Sequence, residues 1–406
     1  MGPRGDPRQG RLMPRTIVPI GPYHPLQEEP EFFSLTVEGE KVVDIDVHIG
    51  YNHRGIEKLS EMKTFDQATF VVERICGICS TSHPLAFVQA VEDILPIEVP
   101  ERAKYIRTII AEGERVHSHL LWLGLAGHFL GYNTVYMWTW KLREEILDVM
   151  EILSGNRNNY GMFKPGGVRR DLKADDIPGV LKKIDSIVPT LEMLKKAIMD
   201  DPVLQARTKG IGILSREDAI NYSALGPTAR ASGVARDVRK NCPYAAYDRV
   251  DWDMIVLQNG DVFDKLVLRV LETFESIKIL KHCLTKLPPG EIDAKLTSIP
   301  PGEGIGQHEA PRGETFHYVR SDGTNRPTRH KVRAPTFMNL PTYKATIVGE
   351  TLSDATIILA AIDPCYCCTE RIAVRNATGM KLYNGEDLVK LSVEKTEKLR
   401  KQWGMK

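Results

Sequence analysis

Two short segments, far apart in the chain, carry cysteines at a spacing suited to metal binding. The first, residues 74–83, reads RICGICSTSH, and the second, residues 363–371, reads DPCYCCTER. A Cys-x-x-Cys pair can place both thiolates on one metal ion, because a single turn of backbone turns the two sulfur atoms to the same side. The sequence therefore predicts one site with four sulfur ligands: Cys76, Cys79, Cys365 and Cys368.

Four thiolates on one metal ion are also typical of structural zinc. Structural zinc sites join short loops in small modules, whereas these pairs lie beside long apolar segments in a chain of 406 residues. Polar residues that could contact the sulfur atoms flank both pairs: Arg74, His83, Asp363 and Arg371. Groups that donate to a thiolate tune its basicity and redox chemistry. The pattern favours a reactive metal centre over structural zinc.

The composition is that of an ordinary globular protein, with 42% hydrophobic and 26% charged residues. A net charge of +1 gives no basic surface for nucleic acid. The apolar run at residues 120–127 is too short to cross a bilayer. Seven cysteines, four of them at metal spacing, indicate a reducing compartment rather than a disulfide framework.

The elements that must position the two segments are predicted from hydrophobic periodicity and turn residues. Residues 1–16, rich in Gly, Pro and Arg, are expected to be a disordered extension. A β-hairpin follows, with strands at residues 33–37 and 42–49. Residues 346–362 are expected to form a buried apolar helix or segment that leads into the second cysteine segment. Apolar residues recur at helical spacing in four longer segments: residues 100–130, 137–153, 177–200 and 262–284.

The predicted fold class is mainly α with small β elements. Its core is a bundle of long helices, with an N-terminal β-hairpin region and a C-terminal β-rich segment that includes a strand at residues 313–320. We expect one domain at residues 17–371, followed by a C-terminal extension at residues 372–406. The domain divides into a β-hairpin region at residues 17–60, a helical bundle at 61–287, a β-rich segment at 288–345 and a metal-site segment at 346–371.

The two cysteine segments carry a family resemblance. Arg-x-Cys-Gly-x-Cys-x-x-x-His followed by Asp-Pro-Cys-x-x-Cys-x-x-Arg resembles the large subunit of nickel-iron hydrogenases. More narrowly, the chain is similar to the membrane-associated, energy-converting branch, which is related to the 49-kilodalton subunit of respiratory complex I. The final arginine, Arg371, replaces the histidine of the uptake branch. Other shared stretches are GPYHP from Gly21, RASG from Arg230 and KVRAP from Lys331.

The resemblance implies a nickel-iron centre. Cys76 and Cys365 would be terminal nickel ligands, whereas Cys79 and Cys368 would bridge nickel to an iron that also holds cyanide and carbon monoxide. Soft thiolates suit both metals. A terminal thiolate in a dry pocket can accept a proton from H2, and we assign this role to Cys365.

Residues 309–313, EAPRG, resemble the family segment that covers the iron. The guanidinium of Arg312, next to Pro311, would lie over the open metal position and hold cyanide by hydrogen bonds. The alternative is a surface salt bridge between Arg312 and Glu309. Thr336 resembles the residue whose hydroxyl donates to a cyanide, and Ser118 stands where the uptake branch carries an aspartate near the arginine.

The resemblance also implies residues that act on protons and on sulfur. Glu57, within RGIE at residues 54–57, matches the glutamate that carries protons away from the nickel cysteine, although this motif alone is more typical of a solvated helix start. His83 is expected to donate to the sulfur of Cys79, and Asp363 to pair with an arginine.

The run GEGIG at residues 302–306 has the glycine density of a nucleotide-binding loop. The sequence predicts neither a strand before it nor a helix after it, as such a loop would need. We therefore expect a loop beside the metal site.

The resemblance further implies partner subunits. Cys242, Cys283 and Cys367 are too scattered to hold an iron-sulfur cluster, so electrons must leave through a small subunit that carries one, toward ferredoxin. Membrane-embedded subunits that move protons or other ions are expected beneath it, which would place the chain on the cytoplasmic face of the membrane. The family also implies cleavage just after Arg371 once nickel is bound, as opposed to a retained terminal helix.

Three functions remain open on the sequence alone. The first is reversible H2 oxidation linked to ferredoxin. The second is a subunit like those of complex I, which transfers electrons or reduces quinone without nickel. Those relatives lack the thiol set, and Glu28 stands where they carry a histidine. The third is a scaffold stabilised by zinc.

Overall fold

The computed structural model describes residues 14–25, 27–369, 375–376, 379–380 and 385–404. Long helices and small antiparallel sheets confirm the expected fold class. The helices are α1 Ile56–Glu61, α2 Phe65–Glu73, α3 Ser82–Glu92, α4 Glu101–Phe129, α5 Asn133–Ser154, α6 Ile177–Asp200, α7 Pro202–Thr208, α8 Arg216–Asn221, α9 Gly226–Ala231, α10 Val238–Asn241, α11 Val262–Thr285, α12 Pro335–Asn339, α13 Tyr343–Ile347, α14 Leu352–Ala361 and α15 Gly385–Gln402. The strands are β1 Arg15–Ile20, β2 Phe32–Glu38, β3 Lys41–His48, β4 Phe163–Lys164, β5 Gly167–Val168, β6 Pro301–Ala310, β7 Gly313–Asp322, β8 Pro327–Arg333, β9 Arg375–Asn376 and β10 Gly379–Met380.

The helical bundle is centred on α4, which packs against α5 and α11, while α6 packs against the same two helices. These four are the long helices that the sequence predicts, with bounds that differ by a few residues at most. α4 is buried along most of its length, including charged residues such as Glu112 and Arg115. Buried charges are costly unless they are paired, so the bundle must supply partners for them inside the protein.

The N-terminal sheet has the order β1-β2-β3 and is antiparallel throughout. Alternate residues of β2, namely Phe33, Leu35 and Val37, are buried, as expected for a strand with one face on the core. They share a hydrophobic cluster with α14. The predicted hairpin is confirmed as β2 and β3, and β1 adds a third strand on the outer side of β2.

The second sheet, β6-β7-β8, corrects the prediction of a loop at residues 302–306. This run is part of strand β6, and α3 lies across it. A Cβ at Gly304 would overlap the carbonyl oxygen of Ala90, and one at Gly306 would overlap that of Ala86. Because residues two apart share one face of a strand, the glycines let the backbone of α3 approach the sheet closely. The glycine density reflects packing between a helix and a strand.

The apolar segment at residues 346–362 is not one helix. α13 ends at Ile347, Val348 is extended and Gly349 has a φ of 101°, a left-handed value that favours glycine. α14 then begins at Leu352, capped by the side chain of Thr351. The prediction that this segment leads into the second cysteine motif is confirmed, because the motif follows the end of α14 directly.

Some expectations lie outside the described residues. Residues 1–13 and Arg371 are among these, as are residues 372–374, 377–378, 381–384 and 405–406 of the predicted extension. The predicted disordered extension ends too late in the chain, because Arg15 and Thr16 already belong to β1.

We expect Gly306→Ala to destabilise the protein by about 1–3 kcal/mol, because the added methyl group would force α3 away from β6. Gly179→Ala is the matched control, since its Cβ would meet nothing within 4 Å and alanine favours a helix. Chemical denaturation of both variants measures the difference. A Gly306→Ala variant as stable as Gly179→Ala would contradict this account of the packing.

Candidate metal centre

The structure brings the four predicted cysteines together inside the protein. Their sulfur atoms all lie within 4.8 Å of one another, and all four side chains are buried. Cys365 Sγ lies 3.0 Å from Cys76 Sγ and 2.9 Å from Cys368 Sγ, and Cys79 Sγ lies 3.6 Å from Cys368 Sγ. These separations exceed the length of a disulfide bond, and all four cysteines are free. The two distant motifs thus form one cluster of thiols.

The first motif is a tight turn between α2 and α3. Cys76 Sγ accepts hydrogen bonds from the backbone N–H groups of Ile78, at 3.3 Å, and Cys79, at 3.4 Å. Behind the turn, Ser82 Oγ donates to a carboxylate oxygen of Glu114 on α4, at 2.5 Å. Burial raises the pKa of Glu114 to about 7. The turn is therefore fixed both by its own backbone and by the central helix.

The second motif begins where α14 ends. Trp122 Nε1 donates to the carbonyl of Ala360, at 2.8 Å, and Tyr343 Oη to that of Leu359, at 2.6 Å. The backbone N–H of Asp363 also donates to the carbonyl of Ala360, at 2.9 Å, so main-chain and side-chain donors together hold the C-terminal end of α14. Asp363 then turns the chain with a φ of 56°, a left-handed conformation that aspartate tolerates better than most residues.

Arg54 connects the two motifs. Its guanidinium donates to the backbone carbonyls of Arg74, at 2.9 Å, and Ile75, at 2.7 Å, in the first motif. It also donates to the carbonyl of Cys367, at 3.3 Å, in the second. One cation therefore holds the backbones of both cysteine segments side by side.

The thiol cluster is chemically suited to a soft metal. Hydrogen bonds from Cys365, Cys368 and Cys79 lower the pKa of Cys76 well below that of an ordinary thiol. The pKa of Cys365 is raised well above the usual value, first by its contact with Cys368. One negative charge is thus readily held among the four sulfur atoms, and further ionisation needs a cation between them. Nickel and iron are soft enough to prefer such a donor set.

Arg312 and Asp363 form a buried ion pair beside the thiols. Arg312 Nη2 lies 2.7 Å from Asp363 Oδ1, and its Nε donates to the backbone carbonyl of Asp363, also at 2.7 Å. Arg312 Nη1 donates to Ser118 Oγ at 3.2 Å, which places Ser118 beside the arginine as predicted. A second cation, Arg269, lies 3.9 Å from Asp363 Oδ2. The expected pairing of Asp363 with an arginine is confirmed.

The turn that carries Arg312 is held from both sides. Pro311 and Arg312 connect β6 to β7, where Ala310 pairs with Gly313. Arg115 of α4 donates to the backbone carbonyls of Glu309 and Ala310. On the other side Gly226, with a φ of 62°, approaches so closely that a Cβ would overlap the carbonyl of Arg312. The guanidinium is therefore aimed by the backbone around it.

The alternative salt bridge between Glu309 and Arg312 is excluded. The carboxylate of Glu309 accepts from Arg230 Nη1, at 2.7 Å, and from the backbone N–H of Val238, at 3.1 Å. Both Glu309 and Arg312 are buried, so neither belongs to a surface pair.

Glu57, the predicted proton carrier, is bound by residues of β8. The carboxylate of Glu57 accepts from Lys331 Nζ, at 2.7 Å, and from the backbone N–H of Val332, at 2.9 Å. Another carboxylate lies at the thiols: Glu29 Oε1 is 4.0 Å from Cys365 Sγ, and Glu29 Oε2 accepts from the backbone N–H of Cys367 at 2.6 Å. Burial raises the pKa of Glu29.

His83 and Thr336 contact the second cysteine motif. His83 Nε2 lies 3.3 Å from Cys368 Sγ, so its sulfur partner is Cys368 and not the predicted Cys79. The reason is that His83, on α3, points away from its own turn and across to the other motif. Thr336 Oγ1 accepts from the backbone N–H of Cys365 at 3.0 Å. A hydroxyl that accepts one hydrogen bond can still donate its hydrogen elsewhere, as the predicted role requires.

Several contacts at the site were not predicted. Arg74, expected beside the thiols, instead pairs with Glu73 and is half exposed. Glu28 and Glu29 had no local signal beyond their position just after the shared GPYHP stretch. Burial, with the charge of Asp363, raises the pKa of Glu28 to about 8. Arg269 lies on α11, where its helical spacing gave no sign of the metal site.

Comparisons with known proteins place the chain in a family. The family described as "Respiratory-chain NADH dehydrogenase, 49 Kd subunit" matches residues 130–299 and 294–371, and "Nickel-dependent hydrogenase" matches residues 54–125. The membrane-bound hydrogenase subunit alpha of Pyrococcus furiosus is 41% identical, over 94% of this chain and 93% of its own. The carbon monoxide-induced hydrogenase of Rhodospirillum rubrum is 40% identical, over 87% of this chain and 99% of its own.

A solved structure agrees with these relatives. A chain from the membrane-bound sulfane sulfur reductase, an archaeal respiratory membrane complex, superposes with a TM-score of 0.84 at 30% identity, over 88% of this chain and 98% of that one. In the part of the chain that the structure describes, no helix has the length and apolar character to cross a membrane. The chain belongs to the nickel-iron hydrogenase large subunits, in the membrane-associated branch that is related to the 49-kilodalton subunit of complex I.

Proposed function

We propose that this chain is the catalytic subunit of an enzyme that splits H2 reversibly into two protons and two electrons at a nickel-iron centre. The observation that carries the proposal is the convergence of four buried sulfur atoms from two distant motifs. The similarity of this chain to hydrogenases over nearly its whole length supports the same activity.

The four cysteines would hold the centre with distinct roles. Following the family, Cys76 and Cys365 would bind nickel alone, whereas Cys79 and Cys368 would bind both nickel and iron. When bound, the centre supplies the Lewis acidity and the electron acceptor that cleavage of the H–H bond requires. The surrounding protein keeps the thiols dry, because all four are buried.

The turn at Pro311 and Arg312, together with Thr336, would surround the iron and its cyanide and carbon monoxide ligands. Arg312 is buried, charged and fixed by Asp363 and Ser118, so its position costs no rearrangement when a negative group binds. The Thr336 hydroxyl, which anchors the backbone of Cys365, has a hydrogen available for a cyanide nitrogen.

Cys365 and Glu29 are proposed to move protons. The thiolate of Cys365 would accept a proton, and the Glu29 carboxylate, 4.0 Å from Cys365 Sγ, is an acceptor within reach of it. Burial raises the pKa of Glu29, so the group can bind and release protons closer to neutral pH than an exposed glutamate. Glu29 thus takes the role that the sequence assigned to Glu57.

The electrons would leave through partner subunits. In the described part of the chain, the four-cysteine cluster is the only group of this kind, so an iron-sulfur cluster must be supplied by a small subunit. We propose ferredoxin as the electron carrier beyond it. The names of the relatives, a membrane-bound hydrogenase and a respiratory membrane complex, support membrane-embedded partner subunits. We further propose that these subunits translocate ions and that the chain lies on the cytoplasmic face.

The alternative of a nickel-free subunit like that of complex I is disfavoured by the thiols. All four cysteines are kept, and all four face one point in the interior. A quinone-reducing subunit would have no use for such a cluster.

The first test is metal content. We expect about one nickel and one iron per chain, with infrared bands of metal-bound cyanide and carbon monoxide, and a loss of nickel of at least roughly tenfold in Cys79→Ser. Cys283→Ser is the matched control, because this buried cysteine lies on α11 outside the cluster. An active preparation without nickel would disprove the proposal, and so would zinc in place of nickel.

The second test separates Glu29 from Glu57. Glu29→Gln should keep its nickel but slow hydrogen isotope exchange between H2 and D2O by roughly 10²-fold, since the amide cannot carry the proton. Glu31→Gln is the control, because it changes a buried carboxyl of the same segment. If Glu57→Gln slows exchange and Glu29→Gln does not, the role returns to Glu57.

The third test concerns the extension. We propose that residues 372–406 are removed after nickel binds, so the nickel-loaded protein should have the mass of a chain that ends at Arg371. Protein from cells grown without nickel should keep the longer mass. Intact mass spectrometry of both preparations decides the question, and active enzyme that still ends at Lys406 would rule cleavage out.

A further inference from the structure

A row of hydrogen-bonded histidines leads away from the metal centre. His83 Nε2 lies 3.3 Å from Cys368 Sγ, and His83 Nδ1 lies 3.0 Å from His317 Nε2. His317 Nδ1 lies 2.9 Å from His330 Nε2, and His330 Nδ1 lies 2.6 Å from Ser60 Oγ. We call this set the histidine row. It is continuous from a sulfur atom of the centre to a serine on α1.

Four elements build the row. His83 lies on α3, His317 on β7 and His330 on β8, while Ser60 lies on α1. All three rings are buried, and the ring of Phe87 packs edge-on against His317 and His330. The Phe87 ring therefore shields His317 and His330, and the hydrogen bond between them, from water.

The two rings of the row that do not contact a cysteine, His317 and His330, are neutral. Burial lowers the pKa of His330 to about 3 and that of His317 well below the usual histidine value. A neutral imidazole carries one N–H and one lone pair, so each ring donates on one side and accepts on the other. All hydrogen bonds in the row must therefore run in the same direction.

The two ends of the row set that direction. Ser60 has one hydrogen, which it can donate either to the carbonyl of Glu57, at 2.8 Å, or to His330 Nδ1. Without a metal, both directions satisfy every hydrogen bond in the row. A cysteine that binds metal is a thiolate and can only accept. Cys368 as a ligand therefore requires the hydrogen of His83 on Nε2.

We propose that Ser60, His330 and His317 are positioning residues that hold His83 as the Nε2–H tautomer, with its N–H aimed at the metal-bound sulfur of Cys368. This inference rests on the proposed ligation by Cys368, although not on the rate of H2 cleavage. A serine three rings away, on a helix that carries no metal ligand, thus supports from the far end of the row the donor that the metal-bound sulfur requires.

The test compares ring tautomers by nitrogen NMR of histidine-labelled protein, with and without nickel. In nickel-loaded protein in a diamagnetic state, all three rings should carry hydrogen on Nε2. In Ser60→Ala, His330 loses the donor to its Nδ1, and a fraction with hydrogen on that atom should appear. Nickel content is measured on each sample.

The second measurement is the midpoint potential of the loaded centre. His330→Phe removes the donor to His317 Nδ1, so the row no longer holds His83 in a single tautomer. The hydrogen bond from His83 to the sulfur of Cys368 then weakens, and a metal centre whose thiolate receives a weaker hydrogen bond is harder to reduce. We expect a more negative potential. His330→Gln should restore it, because the Gln amide nitrogen can occupy the place of Nε2. His308→Gln, a buried histidine on β6 outside the row, should leave it unchanged.

Each outcome bears on a separate claim. Hydrogen on Nδ1 of any ring in nickel-loaded wild-type protein, or an unchanged potential in His330→Phe, overturns the inference. Rings of opposite tautomer within the metal-free row overturn it as well. Absence of nickel from the wild-type protein instead overturns the proposed function, and with it the donor to a metal-bound sulfur.

Discussion

The structure depends on the burial of four cysteine sulfurs at one point. Thiolates repel one another at 3–4 Å in a dry interior, so the cluster can ionise fully only around metal cations. The protein contributes fixed positive charge nearby through Arg312, and Asp363 offsets and orients that charge. Arg269 adds a second positive charge beside Asp363, whereas burial and the charge of Asp363 raise the pKa of Glu28 and favour its neutral form. The arrangement prepares the interior for a metal centre.

The buried charges of the bundle follow from the same requirement. The turn of Arg312 is held by Arg115, which also pairs with Glu112. Glu112 in turn pairs with Arg239, and the charges of both arginines help to lower the pKa of Glu112 to about 2 against the effect of burial. A helix such as α4, buried on nearly all sides, can carry these groups only because each one has a partner on a neighbouring element. The buried ion pairs in the core of the bundle thus fix the position of the Arg312 turn at the metal site.

Much of this could be predicted from the sequence. The long helices, the hairpin and the four-thiol site follow from periodicity and spacing, which are local properties. The partner of His83, the contact of Glu29 with the thiols and the true structure of residues 302–306 depend on which elements meet in space. Glycines at alternate positions look alike in a loop and in a strand beneath a helix, and only the position of α3 separates the two cases. Glu29 gave no pattern of its own, because its partner lies at the far end of the chain.

The contact of Arg54 with both motifs bears on biosynthesis. As the ribosome extends the chain, Arg54 and the carbonyls of Arg74 and Ile75 emerge early, whereas the carbonyl of Cys367 is made almost last. The growing polypeptide therefore exposes half of a coordination sphere through most of translation. Closure awaits the arrival of the final cysteines, so the chain order itself leaves an interval in which assembly factors can reach the open half.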